Sequence, residues 1–502
     1  MIKEFTGTWV FSVLEALSIL FVFVLGLALL VVVGMYVADV TQSKQAIRRN
    51  YPVVGRFRYI FEHMGEFFRQ YFFAMDREEL PFNRAERSWV YRAAKNVDST
   101  TAFGSTRDLR PTGSVFFVNC PYPTLGEDAV PTKAVTIGPY CDKPYTTDSL
   151  INVSGMSYGA LSIPAVRALS NGARKAGCWM NTGEGGLSPY HLEGGADIVF
   201  QIGTAKFGVR DLDGNLSDDK LKEVAAHEQV KMFELKLSQG AKPGKGGILP
   251  GAKVTEEIAG IRGIQVGEDA LSPNRHPDIN NADDLLAMIE RVRKTTGKPV
   301  GFKTVIGAYG WLDNLFEEIA KRGPECAPDF ITVDGADGGT GAAPTSLIDY
   351  MGLPLQESLP MLVDMLKRHG LRDRVKVISS GKLITPANVA WALCVGADFV
   401  VSARGFMFSL GCIQALQCNK NTCPTGITTH DPKFQKGLNP AEKSERVASY
   451  VKNMKYEVGI IAHSCGVKEP RGLKRFHARM VTADGKSVPL DELYPDVEAS
   501  AS

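Results

Sequence analysis

Three cysteines, Cys412, Cys418 and Cys423, fall in the stretch "GCIQALQCNKNTCPTG" of a 502-residue chain that holds nine in all. They are separated by five and then four residues, and Pro424 follows the third. Thiolates in this number suit an iron–sulfur cluster or zinc. A structural zinc site needs four ligands and would have to recruit another, such as His430, whereas a three-iron cluster needs only three. Three unrelated buried thiols are the plain alternative.

Other stretches carry charge or bare backbone where a ligand would need it. The segment 237–254, "LSQGAKPGKGGILPGAKV", mixes lysines with glycines and prolines. It is too kinked for a helix, and its cations either grip a dicarboxylate or sit in a solvated surface loop. Lys303 stands alone among apolar residues in "VGFKTVIG". If buried, its ammonium needs a partner, either a reduced flavin carrying negative charge or a carboxylate such as Asp334. "SSGK" and "SARG" bring Ser380, Gly381, Lys382, Arg404 and Gly405 to the ends of two apolar runs, where freed backbone N–H groups and cations could hold a phosphate. "VDGADGGTGAAP", with Gly338 and Gly339, is nearly bare of side chains, so it is either a tight connection or a close approach to a flat ligand.

These motifs need elements to hold them. From about residue 149, short β-branched runs ending in small residues alternate with helix-like segments: "LINVSGMSYG" then "IPAVRALSNGARKAG", "VGFKTVIG" then "WLDNLFEEIAKRG". The pattern continues through "DFITVDG", "LQESLPMLVDMLKRHG", "VKVISSGK", "TPANVAWALCVG" and "DFVVSARG". Such alternation with no G-x-G-x-x-G opening predicts an α/β fold of the (β/α)8 barrel class, with the chemistry at the C-terminal ends of the strands. The last two strands of such a barrel frequently build a phosphate site. Expected domains are a transmembrane helix at 16–38, an aromatic-rich, irregular α+β extension at 41–148, the barrel with its cysteine motif at 149–430, and a helical and irregular cap at 431–502.

Residues 16–38 run 23 positions without a charge, roughly 34 Å as a helix, which suffices to cross a bilayer. Lys44, Arg48, Arg49, Arg56 and Arg58 follow with no acid between 41 and 60, so the positive-inside rule predicts a single-pass anchor with the bulk of the chain in the cytoplasm. Thiols stay reduced there, which argues against a disulfide framework. Residues 51–92 interleave aromatics with arginines, and the aromatic face is expected to pack against its own domain rather than lie on a membrane surface. The net charge of +2, with no basic stripe and no repeat, gives no reason to expect nucleic-acid binding.

In order and spacing, "SGMSYGALS", "NTGEGG", "FQIGTAKFGV", "KLSQGAKPGKGGILPG", "DGADGGTGAAP" and "GCIQALQCNKNTCPTGI" resemble the FMN-binding barrel of glutamate synthase, over roughly residues 149–430. The resemblance implies FMN across the barrel mouth, contacted by Ser154, Gly155, Met156, Ser157 and Lys303, with its phosphate on Gly381, Arg404 and Gly405; Gly338, Gly339 and Ser380 are further expected cofactor-binding positions. It implies a [3Fe-4S] cluster on Cys412, Cys418 and Cys423. It also implies that reduced flavin delivers hydride to 2-iminoglutarate, formed from 2-oxoglutarate and ammonia, to give L-glutamate. Lys242 and Arg262 fall on the substrate-carboxylate positions and Glu184 on the route of ammonia.

The chain departs from the family pattern where a substrate-binding glutamine is replaced by Ile248 and a glutamate by Lys245. Losing such an amide costs on the order of 1 kcal/mol or more. Rival expectations are therefore a flavin dehydrogenase of another amino or hydroxy acid, and a membrane-tethered electron-transfer subunit. No cysteine precedes Cys120 to act as a glutaminase nucleophile, so free ammonia or a partner subunit is the expected nitrogen source. No nicotinamide fingerprint is found, and ferredoxin, a separate flavoprotein or a membrane-bound chain is the expected electron donor.

Overall fold

A computed structural model of the chain describes residues 2–497 and divides it into two compact units, Met1–Arg84 and Ala85–Ser502. The last five residues of the expected 431–502 cap lie outside the described part.

The second unit is built on eight parallel strands: β1 Ile151–Val153, β2 Met180–Asn181, β3 Ile198–Ile202, β4 Val230–Lys236, β5 Val300–Thr304, β6 Phe330–Asp334, β7 Lys376–Ser380 and β8 Phe399–Ser402. Each pairs with the next, and β8 pairs with β1, so the sheet closes. Parallel neighbours need crossovers, and helices supply the principal ones: α1 Ile163–Ala176, α2 Pro189–Glu193, α3 Asp218–Ala226, α4 Ala282–Thr296, α5 Gly310–Arg322, α6 Leu355–Arg368 and α7 Pro386–Val395. The expected (β/α)8 barrel is the observed fold.

Local chemistry sets the helix ends. Ser162 and Asn281 accept backbone N–H bonds at the starts of α1 and α4, and Gly177 and Gly297 close them in the left-handed conformation. After β8 the chain passes through the cysteine loop before α8, Pro440–Ser464, which packs along α1. The contact is close because Gly172 has no side chain: a Cβ there would lie 2.5 Å from Val447.

The barrel interior is apolar at its N-terminal end. Trp179, Val199, Met232, Phe330, Ile378 and Phe399 form one buried cluster with Ile137 and Tyr145. The last two come from a hairpin, Val135–Ile137 with Tyr145–Thr147, which plugs this mouth of the barrel. The run "KAVTIG" supplies the first strand of that hairpin. Earlier in the extension, the run "SVFFVN" pairs Val115–Phe117 with Ala478–Val481 from the C-terminal region.

In the first unit the helix Ile2–Thr41 contains Trp9–Thr41, 33 residues long, whose most apolar 18-residue stretch has a mean hydropathy of 3.1 and is unburied, so the helix is long and apolar enough to cross a membrane. A second helix, Gly55–Phe68, carries the aromatic stripe expected to pack inward. The expectation is corrected for Phe57, Phe61 and Phe67, which are exposed, and holds for Trp89 and Tyr91 of the same 51–92 stretch, which lie in the second unit edge-on against Tyr450 and Phe408.

Candidate active site

Above the apolar layer the barrel interior becomes polar, because inward positions on the strands switch from Phe and Trp to Asn, Gln, Glu, Lys and Thr. Glu234 on β4 is buried and accepts hydrogen bonds on Oε1 from Asn181 Nδ2 (2.8 Å) and Gln201 Nε2 (2.7 Å). Thr332 Oγ1 donates to its Oε2 at 2.6 Å. A buried carboxylate is tolerable only when satisfied in this way. Gly155 presses onto this floor: a Cβ there would meet Asn181 Oδ1 and Gln201 Nε2, each at 2.9 Å.

Lys303 on β5 stands opposite Lys236 on β4 in the parallel register. Two adjacent buried lysines need two anions, and each has one. Lys303 Nζ lies 3.1 Å from Asp334 Oδ2, and Lys236 Nζ lies 3.0 Å from Glu184 Oε1. Burial alone would lower the Lys303 pKa, but Asp334 and Glu234 outweigh it and hold it above the ordinary value. Asp334 also accepts from the Gly240 N–H at 2.9 Å, which ties the lysine-rich loop to the barrel rim.

Glu184 sits in a short turn, Gly183–Gly185, just past β2. The loop 237–254 closes over it so tightly that a Cβ on Gly247 would lie 2.2 Å from Glu184 Oε1. Lys242 and Arg262, both buried, join this group. Burial would push the Glu184 carboxyl up, yet Lys236, Lys242 and Arg262 together keep it below its usual range. Burial, with Lys236 beside it, lowers Lys242 to about 8, and burial lowers Arg262 to about 10. Arg262 donates through Nη2 to the Tyr158 carbonyl at 3.0 Å, and its Nε has no hydrogen-bond partner among the described residues. Three buried cations around one carboxylate leave a surplus of positive charge, which is stable when an anion completes it. Ile248 is 43% exposed and pairs with Leu271 across a short ribbon.

At the other side of the mouth, glycines let two loops meet. Gly335 N–H donates to the Ser380 carbonyl at 2.8 Å, and Gly381, at φ 132°, leaves only 3.1 Å between its missing Cβ and Gly335 N. Ser154 N–H donates to the Ser402 carbonyl, so the start of the "SGMS" segment adjoins the end of β8. Arg404 turns toward the Gly339–Thr340 backbone, with its guanidinium 3.8 Å from Cys418 Sγ. Gly405 donates its N–H to Ser402 Oγ and faces the Tyr450 hydroxyl of α8.

The cysteine loop follows directly. Cys412 and Cys423 are buried and Cys418 is half-buried. Burial pushes the Cys412 thiol up to about 11 against the pull of Arg404. Lys253 reaches the same loop, donating to the Cys418 and Thr428 carbonyls at 2.8 and 2.6 Å. His430, the alternative fourth zinc ligand, makes a 2.8 Å contact through Nε2 with the Gly159 carbonyl. Among the described residues the three sulfurs are not gathered into a group that could hold a metal ion.

The structure thus brings Glu184, Lys242 and Arg262 together, and the Lys303–Asp334 pair and Gly155 lie on the shared polar floor. Sequence reasoning missed Glu234 and Lys236. With Lys231 they make three charges in the seven residues of "VKMFELK", so neither stands alone among apolar residues as Lys303 does, and the run does not mark them out.

Residues 128–468 match the conserved region in glutamate synthase. The chain is 40% identical to the glutamate synthase large subunit-like protein YerD of Bacillus subtilis, across 96% of this chain and 98% of that protein. It is 36% identical to the archaeal-type glutamate synthase [NADPH] of Thermotoga maritima over 64% of its own length, and spans 60% of that relative. A flavocytochrome b2 variant with benzoylformate aligns with a TM-score of 0.47 at 17% identity, covering 83% of this chain and 85% of that one. The chain belongs to the glutamate synthase family.

Proposed function

We propose that the chain is an FMN-dependent oxidoreductase that forms L-glutamate from 2-oxoglutarate and ammonia. The observation that carries this reading is the buried cation group Lys236, Lys242 and Arg262 around Glu184, on the C-terminal rim of a glutamate synthase-family barrel. A dicarboxylate is the anion that two separated cations fit best.

The residues present fit FMN. Gly155 and the bare backbone around Gly338 and Gly381 leave a surface that a planar group can approach, and Lys303 offers a buried ammonium to its polar edge. Ser154, Met156, Ser157, Gly339, Ser380, Arg404 and Gly405 complete the expected binding set. Bound FMN supplies hydride transfer. Lys242 and Arg262 hold the substrate carboxylates. Glu184, kept anionic, holds ammonium near the carbonyl carbon. The ammonium must first give up a proton to water to free the lone pair that attacks the carbonyl carbon; loss of water then gives 2-iminoglutarate, and a hydride at carbon with a proton at nitrogen would complete L-glutamate. The loop 237–254 shields this region from water.

Cys412, Cys418 and Cys423 fit a [3Fe-4S] cluster in number and donor type, with Arg404 and Lys253 to balance thiolate charge, and electrons from ferredoxin or another flavoprotein would enter there. Trp9–Thr41 and the basic flank after it support a single-pass anchor with the barrel in the cytoplasm. Ile248 favours a second reading, another 2-oxoacid as substrate, because an exposed alkyl group stands where an amide would bond the substrate.

The test uses the full chain in detergent, purified without oxygen and with its flavin chemically reduced. Adding 2-oxoglutarate and ammonium should re-oxidise the flavin and yield stoichiometric glutamate, identified by mass. A loaded flavin that stays reduced would exclude glutamate synthesis from free ammonia, and turnover with an apolar 2-oxoacid alone would establish the second reading.

A further inference from the structure

The first unit contains a second feature that an isolated membrane span does not need. Asp39, near the end of the apolar helix, is fully buried and bonds two arginines from the chain that follows. Its Oδ1 accepts from Arg48 Nε at 2.8 Å and from Arg56 Nη2 at 2.8 Å. Its Oδ2 accepts from Arg56 Nε at 2.8 Å and from the Val53 N–H at 3.0 Å. Val53 adopts φ 65°, and Gly55 packs where a Cβ would lie 2.8 Å from the Ile47 carbonyl. A carboxylate and two guanidiniums therefore fasten the turn that launches the helix Gly55–Phe68, continued by a wider turn at Arg69–Phe73.

That helix is two-faced. Phe57, Ile60, Phe61, Phe67, Phe68 and Phe72 recur at i, i+3, i+4 and i+7 spacing and share one side, while Arg58, Glu62, His63 and Arg69 fall on the other. The apolar side is open: Phe61 is 63% and Phe72 is 74% exposed. Asp39 occupies Arg48 and Arg56, which leaves Lys44, Arg49 and Arg58 as exposed cations on the same short stretch. An open aromatic face beside free cations, continuous with a helix long enough to span a bilayer, has the chemistry of a segment lying among anionic lipid headgroups.

We propose that residues 55–73 form an interfacial helix embedded in an anionic phospholipid leaflet, with Asp39 setting its position at the end of the membrane-crossing helix. This rests on the reading of Trp9–Thr41 as a span.

The test places p-benzoylphenylalanine at one position of the full chain at a time, replacing Leu25, Phe61, Phe72 or His63, in vesicles of phosphatidylglycerol and phosphatidylcholine. After irradiation, phospholipid adducts are measured by mass. Adducts should form at positions 25, 61 and 72, with yields at 61 and 72 at least about fivefold above that at 63. Adducts at 25 combined with protein-only crosslinks at 61 and 72 would overturn the proposal and leave the span intact. No adduct at 25 would remove the span and the proposal with it. Asp39→Ala should preserve the adduct at 25 and reduce that at 61; an unchanged yield at 61 would overturn the role of Asp39. In vesicles of phosphatidylcholine alone the yield at 61 should fall, and an equal yield there would overturn the anionic preference.

Discussion

Lys242 is where folding and chemistry pull apart. Burial lowers its pKa from the ordinary 10.5 to about 8, so the folded protein resists the very charge that a dicarboxylate would require. The penalty is present in full below about pH 8, where Lys242 is protonated in both folded and unfolded chains, and it vanishes as pH rises through about 10.5, where both are neutral. Lys242→Met should therefore stabilise the protein at pH 7 by on the order of 1–3 kcal/mol in chemical denaturation, with the gain fading toward pH 10. The same substitution should lower kcat/KM for 2-oxoglutarate by at least about 30-fold, the worth of one hydrogen bond to a charged group. In the unsubstituted enzyme kcat/KM should decline above pH 8 as the ammonium is lost, and Lys242→Arg should flatten that decline. A Lys242→Met protein that is both less stable and fully active would show that the residue is structural.

At the scale of elements, strands and helices of the barrel were legible because β-branched runs and amphipathic segments alternate with glycine between them. The buried pairings were not. Nothing in "VGFKTVIG" chooses between Asp334 and a flavin for Lys303, because the choice depends on the register of β5 against β6 and on a loop that carries Gly240 to the same carboxylate. A helical cap was expected beyond the cysteine loop, but the place of α8 was hidden, because its packing along α1 depends on contacts across about 270 residues of chain, such as Lys175 with Glu445 at 2.7 Å. Gly172 is the position that permits this packing. Gly172→Ala would drive a methyl to within 2.5 Å of the Val447 side chain and 2.9 Å of the Ser444 carbonyl, and backbone cannot yield cheaply. The expected loss is about 1–3 kcal/mol in urea unfolding, despite the better helix propensity of alanine. A neutral or stabilising result would mean that α8 moves freely on α1.

For the whole molecule, the question is which part of the chain folds as a body. The site residues all fall within 149–430, and we propose that segment as the carrier of the chemistry. Its stability draws on chain outside it. Ile137 and Tyr145 seal the N-terminal mouth, with the Tyr145 ring 6.2 Å from Trp179 and its hydroxyl 2.9 Å from Asp197. Tyr450 of α8 packs at Gly405 and donates to the Ile384 carbonyl at 3.1 Å. Removing both would open the apolar plug and strip one side from α1, a cost of several buried side chains at about 1.5–3 kcal/mol each, against a total stability of about 5–15 kcal/mol. Residues 149–430 alone should therefore be insoluble or molten, whereas the compact unit from Ala85 onward should hold together. Trypsin acting on the full chain in detergent offers exposed Arg77 and Arg84 just before that unit. The first stable product should begin within a few residues of Ala85, stay in solution once detergent is removed, and retain the flavin absorbance and the near-ultraviolet signal of its tryptophans, Trp89, Trp179, Trp311 and Trp391. Early cutting in the lysine-rich loop 237–254, with loss of flavin, would instead mean that the barrel mouth opens more readily than the link between the two units.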